Sequence, residues 1–234
     1  MGRILSDRRT HADPVAVAAE QLTTTGVFLM PSFDVTRSLG AGREVWTRFA
    51  RHWEYLVPNP SAAGLGIARL CRYGQFLFHD GIARLMPINA FAQPEEPLTD
   101  AFAEDPLLHK VIKLLARVAA ALDDVADWNV KVRPFRIQSC VDDGAHPTRE
   151  GIHRDGVTLV SSLRVGRRNA IGGESSVCDL DGRQLVATTL AEPGMLLLGD
   201  DRRTLHDVTP VRPIDSSGPA QCDVLVITFA SRWP

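Results

Sequence analysis

Ser175-Ser176-Val177-Cys178-Asp179-Leu180-Asp181-Gly182-Arg183-Gln184-Leu185-Val186-Ala187-Thr188-Thr189-Leu190 is the stretch on which the fold turns. Two short runs rich in β-branched and apolar residues flank Asp181-Gly182. That dipeptide suits the positive φ angles of a tight hairpin turn. The texture extends in both directions. Lys131–Val141 alternates, Ile152–Val165 reads as a strand, and Met195–Leu198, Thr204–Val208 and Cys222–Phe229 follow as short apolar runs. Strands this short and evenly spaced predict a barrel or jelly roll. Gly172-Gly173 reads as a turn between two of them, where a residue without Cβ takes positive φ at no steric cost.

Upstream the pattern becomes helical. Asp13-Pro14 is a cap followed by proline at the first helical position, and Gly26 closes the segment. Val27–Met30 reads as a strand. A second helix is predicted over Arg43–Leu56, and a strand pair or one long strand over Ile67–His79, turning near Gly74. A third helix should start after Asp105-Pro106 and run to about Leu122, with Leu107, Val111, Leu114, Leu115 and Val118 on one face. The reading is therefore mainly β with flanking helices. It is one domain over residues 1–234, with a barrel core at about 128–230 and helical support at about 13–122.

Charge and cysteine usage narrow the function. The 26 basic and 28 acidic side chains leave a net charge of −2, which argues against a nucleic-acid or anionic-membrane partner. Cys71, Cys140, Cys178 and Cys222 form no CxxC pair, so neither a zinc ribbon nor a disulfide framework is expected. No apolar run follows the first residues, and none is long enough to span a bilayer. The expected setting is the cytoplasm, with reduced thiols.

The chemistry is expected at His153-Arg154-Asp155. On a strand, residues i and i+2 share a face, so both side chains can reach one metal ion. His206, about fifty residues later, is the candidate third ligand. Two imidazoles and one carboxylate leave coordination positions open, a set that suits non-haem Fe(II) and oxygen chemistry. On spacing alone, a surface histidine beside a turn aspartate accounts for His153 equally well. His11-Asp13 is a second His-x-Asp pair, read as a terminus running into a helix cap. His52, His79, His109 and His146 are read as structural or solvated. Glu150 and Glu174 flank the metal segment as possible orienting groups or plain loop carboxylates.

Several ordered segments carry a resemblance. Arg149–Val157, Arg168–Ser175, Leu205–Pro210 and Asp223–Phe229 together resemble the 2-oxoglutarate/Fe(II) dioxygenase family that contains free-amino-acid hydroxylases of the L-isoleucine dioxygenase type. The resemblance spans about Arg136–Phe229 and is looser before it. It implies a double-stranded β-helix, a cupin-like jelly roll. It implies Fe(II) held by His153, Asp155 and His206, with 2-oxoglutarate and O2 as co-substrates. The substrate it implies is a small molecule, a free amino acid or close derivative, oxidised at a C–H bond. Retention of Asp155 favours hydroxylation, desaturation or ring closure over halogenation.

The chain departs from that pattern at one place. Relatives carry an arginine just before the closing strand, to grip the distal carboxylate of 2-oxoglutarate. Here Cys222 stands there, and alternation puts Cys222, Val224, Val226 and Thr228 on the inward face. Arg136 and Arg212 are the expected substitutes, with Thr228 as a hydroxyl partner. A surface strand residue and a loop residue account for the two arginines equally well. The departure leaves two other readings open: an iron oxygenase of this fold that does not use 2-oxoglutarate, and a metal-binding jelly roll without turnover.

Overall fold

The computed structural model describes residues 13–59, 68–87, 95–139 and 151–231. Cys140, His146, Glu150 and His11 lie outside the described residues. The first half carries helix α1 (Pro14–Thr25), strand β1 (Val27–Met30), helices α2 (Ser32–Leu39) and α3 (Arg43–Ala50), and a 3-10 turn over Arg51–Tyr55. Strands β2 (Val57–Pro58), β3 (Ala68–Cys71), β4 (Gly74–His79) and β5 (Ile82–Leu85) follow, then helices α4 (Asp100–Ala103) and α5 (Pro106–Ala119). The second half is β6 (Asp127–Ser139), β7 (Leu159–Arg168), β8 (Ala170–Gly172), β9 (Glu174–Asp179), β10 (Gln184–Thr189), β11 (Leu196–Asp200), β12 (Thr204–Val208), β13 (Val211–Pro213) and β14 (Ala220–Ala230).

Local chemistry explains the helix ends. The Asp13 carboxylate accepts the Val15 N–H at 3.1 Å, and Gly26 stops α1 at φ 82°. Asp105 does the same for α5 through Leu107 N at 2.7 Å. The helix expected over Arg43–Leu56 is α-helical only to Ala50 and tightens to 3-10 geometry beyond it. Its Trp53 Nε1 donates to Phe135 O at 2.9 Å, and the side chain is fully buried. β3 and β4 do not pair with each other: they lie end to end along β6 in one register (Cys71 opposite Phe135, Gly74 opposite Val132), so the long strand is the alternative observed, with a break at Arg72-Tyr73. β5 folds back on β4 through Asp80-Gly81, both at positive φ.

A nine-stranded antiparallel sheet carries the order β1-β11-β7-β14-β6-β3-β2, with β4 beside β6 and β5 beside β4. A smaller sheet, β10-β9-β12, faces it, and β13 pairs with β8. Contact between Val177 on β9 and Leu197 on β11 closes the space between the sheets. This is the jelly roll expected from the strand pattern.

Register decides which side chains face the helices and which face the inner space. Leu225, Ile227 and Phe229 of β14 share a face with Val130 and Val132 of β6 and Leu159 and Leu163 of β7. They pack against Leu22, Trp53, Phe102, Leu108 and Leu115 of the helical layer. The opposite face carries Cys222, Val224, Val226 and Thr228, paired across to Ile137, Phe135, Arg133 and Lys131. Gly172 and Gly173 take φ values of 75° and 62°. A Cβ on Gly172 would lie 2.0 Å from Pro210 O, so this crossing requires glycine.

Candidate active site

The metal-ligand segment is a loop, not the strand expected from Ile152 onward. The strand begins only at Leu159. Gly151 (φ 64°) and Gly156 (φ 74°) bend the chain on either side of His153-Arg154-Asp155. His153 is held to β12 by a two-way backbone pair: His153 N–H donates to His206 O at 3.0 Å, and His206 N–H to His153 O at 2.8 Å. The second half of the loop hangs on Asp201, which is fully buried. Its two carboxylate oxygens accept the N–H groups of Asp155 (3.1 Å) and Val157 (2.9 Å). Asp201 follows β11 directly, so the tight connection from β11 to β12 sets the position of Asp155. Sequence reading missed it, because nothing in Gly199-Asp200-Asp201-Arg202 separates an anchor from an ordinary turn.

One ligand atom from each of His153, Asp155 and His206 lies within 4.8 Å of the other two. The two imidazole centroids are 4.4 Å apart. His153 Nδ1 hydrogen-bonds with Gly151 O at 2.8 Å. His206 Nδ1 is buried, 3.8 Å from Asp201 Oδ1, and has no hydrogen-bond partner among the described residues. With both Nδ1 atoms turned to oxygen atoms behind them, each ring offers Nε2 to a metal. Burial, joined by the charge of His153, holds the His206 pKa below its ordinary value, so the neutral, ligating imidazole is favoured. Two imidazoles and a carboxylate on one side of a small space fit a divalent iron with open positions.

A cavity leads from this cluster between the sheets. Val160, Ser162, Leu197 and Gly199 wall it on the large sheet, and Ser175, Val177 and His206 on the small one. Thr228 lies on the inner face as expected, 8% exposed, opposite Lys131 and Val160. Cys222 also points inward and is buried.

Neither expected arginine reaches this space. Arg136 sits on the helix-facing side of β6. Its Nε and Nη2 donate to Asp223 at 2.8 and 2.9 Å, and Nη2 also reaches Glu54 at 3.0 Å. The strand parity that turns Ile137 inward turns Arg136 outward. Arg212 is exposed on β13, where its neighbour Val211 takes the buried position. The cation that does approach Cys222 is Arg164 of β7, whose Nη1 donates to the Cys222 thiol.

The inner face of β6 forms the other side of the site. Lys131 lies close enough to Asp155 to feel its charge, yet burial and the neighbouring Arg133 hold the Lys131 pKa below its ordinary value. Arg133 lies over the Tyr73 ring at 5.4 Å, and its Nη2 is 4.0 Å from Glu95 Oε1. Arg133 Nε and Glu95 Oε2 are buried and lack hydrogen-bond partners among the described residues. The remaining described histidines are structural, as expected. His52 pairs with Asp105 at 2.9 Å and stacks on Phe102, His109 bonds with Ala103 O, and His79 sits between Asp80 and Asp127. Glu174 is exposed.

Residues 50–228 match the family model described as 2OG-Fe dioxygenase, and the chain belongs to that family. It is an Fe(II)- and 2-oxoglutarate-dependent dioxygenase, an oxidoreductase that takes Fe(II), 2-oxoglutarate and O2. The fold is similar to that of a bsmA homolog from Methylobium petroleophilum PM1, at 28% identity and a TM-score of 0.82, covering 94% of this chain and 95% of that one. It is also similar to IDO from Bacillus thuringiensis (16% identity, TM-score 0.77, 94% of this chain and 99% of that one). The Fe(II)/α-ketoglutarate-dependent dioxygenase TqaL gives 16% identity, a TM-score of 0.77 and coverages of 93% and 88%. At 16% identity the last two speak for the fold alone. No curated protein sequence matches the chain.

Proposed function

We propose that this dioxygenase oxidises a C–H bond of a free amino acid or close derivative, with iron held by His153, Asp155 and His206. The observation that carries the substrate class is a loose pair of opposite charges, Arg133 and Glu95 at 4.0 Å, each with one polar atom left unmet, next to Lys131 on the inner face of β6. Arg133 Nε and Glu95 Oε2 are both buried without hydrogen-bond partners among the described residues, and Lys131 feels the charges of both Arg133 and Asp155. Buried polar groups of both signs are costly unless a ligand meets them. A zwitterion does so with one molecule: its carboxylate faces Lys131 and Arg133, and its ammonium faces Glu95. The segment resemblance to free-amino-acid hydroxylases supports the same reading.

Iron with its co-substrates supplies the oxidising power, and the protein supplies position and electrostatics. His153 and His206 would each present an imidazole nitrogen to the iron. Asp155 would add the one carboxylate ligand, whose presence favours oxidation over halogenation. Val160 and Leu197 on one wall and Val177 on the other give the cavity apolar surface, which limits water at the reacting centre. Cytoplasmic residence is part of the proposal, since the described cysteines are unbridged and buried.

The test is a mass-shift screen of free amino acids with the iron-loaded protein, ascorbate and 2-oxoglutarate. Gain of one oxygen, or loss of two hydrogens, on at least one amino acid is expected. Turnover of peptide substrates with every free amino acid left unchanged would replace this reading with a protein hydroxylase.

A further inference from the structure

Arg164 is 2% exposed, and its surroundings do not balance its charge. Nε donates to Leu190 O at 2.6 Å, and Nη1 to the Cys222 thiol and, at 3.5 Å, to Gly166 O. Among the described residues no carboxylate lies within ion-pairing distance. A guanidinium out of water without a counter-ion is costly. The same sheet shows the contrast: Arg136, similarly buried, holds two carboxylates. A second cation adds to the imbalance. Arg167 Nη1 is 3.9 Å from the same sulfur, and the other Arg167 donors go to Ala170 O and Gly172 O. Two guanidinium groups thus converge on one thiol with no anion between them.

The place of this cluster says what the missing anion is. Val160, Ser162 and Arg164 share the inner face of β7, and Val160 and Ser162 wall the cavity that starts at His206. Successive inward residues on a strand are about 7 Å apart, so Arg164 lies further along the wall, away from the metal cluster. Gly173 faces the same end. A Cβ there would stand 3.1 Å from Val211 Cγ2, 3.5 Å from Arg167 Nη1 and 3.9 Å from Cys222 Sγ, so glycine lets Arg167 and the Cys222 thiol come close at this end. A molecule that chelates the metal with one end and fills this end with a carboxylate is an elongated dicarboxylate.

We propose that Arg164 is the residue that grips the distal carboxylate of 2-oxoglutarate, reaching in from β7 through the space that the small Cys222 side chain leaves on β14. The assignment rests on the family's use of 2-oxoglutarate and is separate from the identity of the oxidised substrate. A forked guanidinium meets a carboxylate with two parallel bonds. Arg167 adds positive potential from the rim without entering the cavity.

The experiment is calorimetric binding to the anaerobic Fe(II) protein, comparing 2-oxoglutarate with 2-oxopentanoate, which chelates metal but lacks the distal carboxylate. Wild type is expected to prefer 2-oxoglutarate strongly. Arg164→Met should weaken 2-oxoglutarate by at least about tenfold, the scale of one charge-assisted contact, and leave 2-oxopentanoate unchanged. The double variant Arg164→Met with Cys222→Arg should recover part of the preference, because its guanidinium enters the same space from β14. If Arg164→Met does not fold, Arg164→Lys carries the test: it keeps the charge, loses the fork and should still erode the preference. An unchanged preference in either folded Arg164 variant overturns the proposal, as does a loss confined to Arg167→Met. Failure of wild type to bind 2-oxoglutarate at all would instead overturn the co-substrate on which the assignment rests.

Discussion

Arg136 and Arg164 show how one residue's neighbours decide its work. Both are buried arginines on adjoining parts of one sheet, 6% and 2% exposed. Arg136 is saturated by Asp223 and Glu54, so its charge is spent on the fold. Removing one partner of such a pair leaves the other charge buried and alone, a cost of about 3–5 kcal/mol. Arg136→Ala should therefore lower the unfolding free energy from denaturant titration by that order, while the folded fraction binds 2-oxoglutarate as wild type does. Wild-type stability combined with lost 2-oxoglutarate binding would return Arg136 to the site. The sequence could not separate the two arginines. Each sits among alternating apolar residues, and only the register of β6 and β7 against β14 shows which one faces the inner space. His153, Asp155 and His206 come together as expected, although their types and spacing left a surface histidine equally acceptable, and the resemblance of several ordered segments decided between the two. The reason given for their meeting was incomplete: a loop bent by Gly151 and Gly156 and pinned by Asp201 does what a strand was expected to do.

Elements with strong local signals were read well. The caps at Asp13 and Asp105, the Gly26 stop and the Asp181-Gly182 hairpin all depend on nearest neighbours, and all are present. Helix α2 and strand β5 were missed. The first is a single eight-residue stretch with no side-chain cap bond, and the second is mostly exposed. The α5 cap carries its own prediction. Burial pushes the Asp105 carboxyl up, but the bonds from His52 and from Leu107 N–H outweigh it, and the net pKa lies below the usual carboxylate value. A depressed folded pKa means that this stability is present above the unfolded value and is lost as pH falls through the folded one. Asp105→Asn keeps a good capping residue and loses the charge on His52. It should cost about 1.5–3 kcal/mol near neutrality, and urea unfolding should show the gap to wild type closing on acidification. A gap that persists unchanged in acid would mean that the Asp105 charge does not hold α5 in place.

Across the whole molecule, one apolar layer joins the helices to the outer face of the large sheet, and the inner face is left to chemistry. Trp53 and Phe102, both essentially buried, tie the 3-10 turn and α4 into that layer. Cys71, Cys178 and Cys222 are buried and unbridged, and burial pushes the Cys71 thiol up to about 11. In freshly purified, denatured, non-reduced protein all four cysteines should titrate as thiols. Two or more missing would contradict the reducing compartment proposed here. No helix among the described residues is long and apolar enough to cross a membrane.

The central claim is that His153, Asp155 and His206 hold iron that couples 2-oxoglutarate to oxidation of a small substrate. Succinate released by the Fe(II)-loaded protein in air, measured beside product in wild type and in His206→Ala, tests it most directly. The account predicts one succinate per product in wild type. In His206→Ala it predicts loss of both with the fold intact, because two remaining protein ligands hold the ion poorly and the barrel needs no metal to close. Product without succinate in wild type, or unchanged turnover and iron content in His206→Ala, would contradict it.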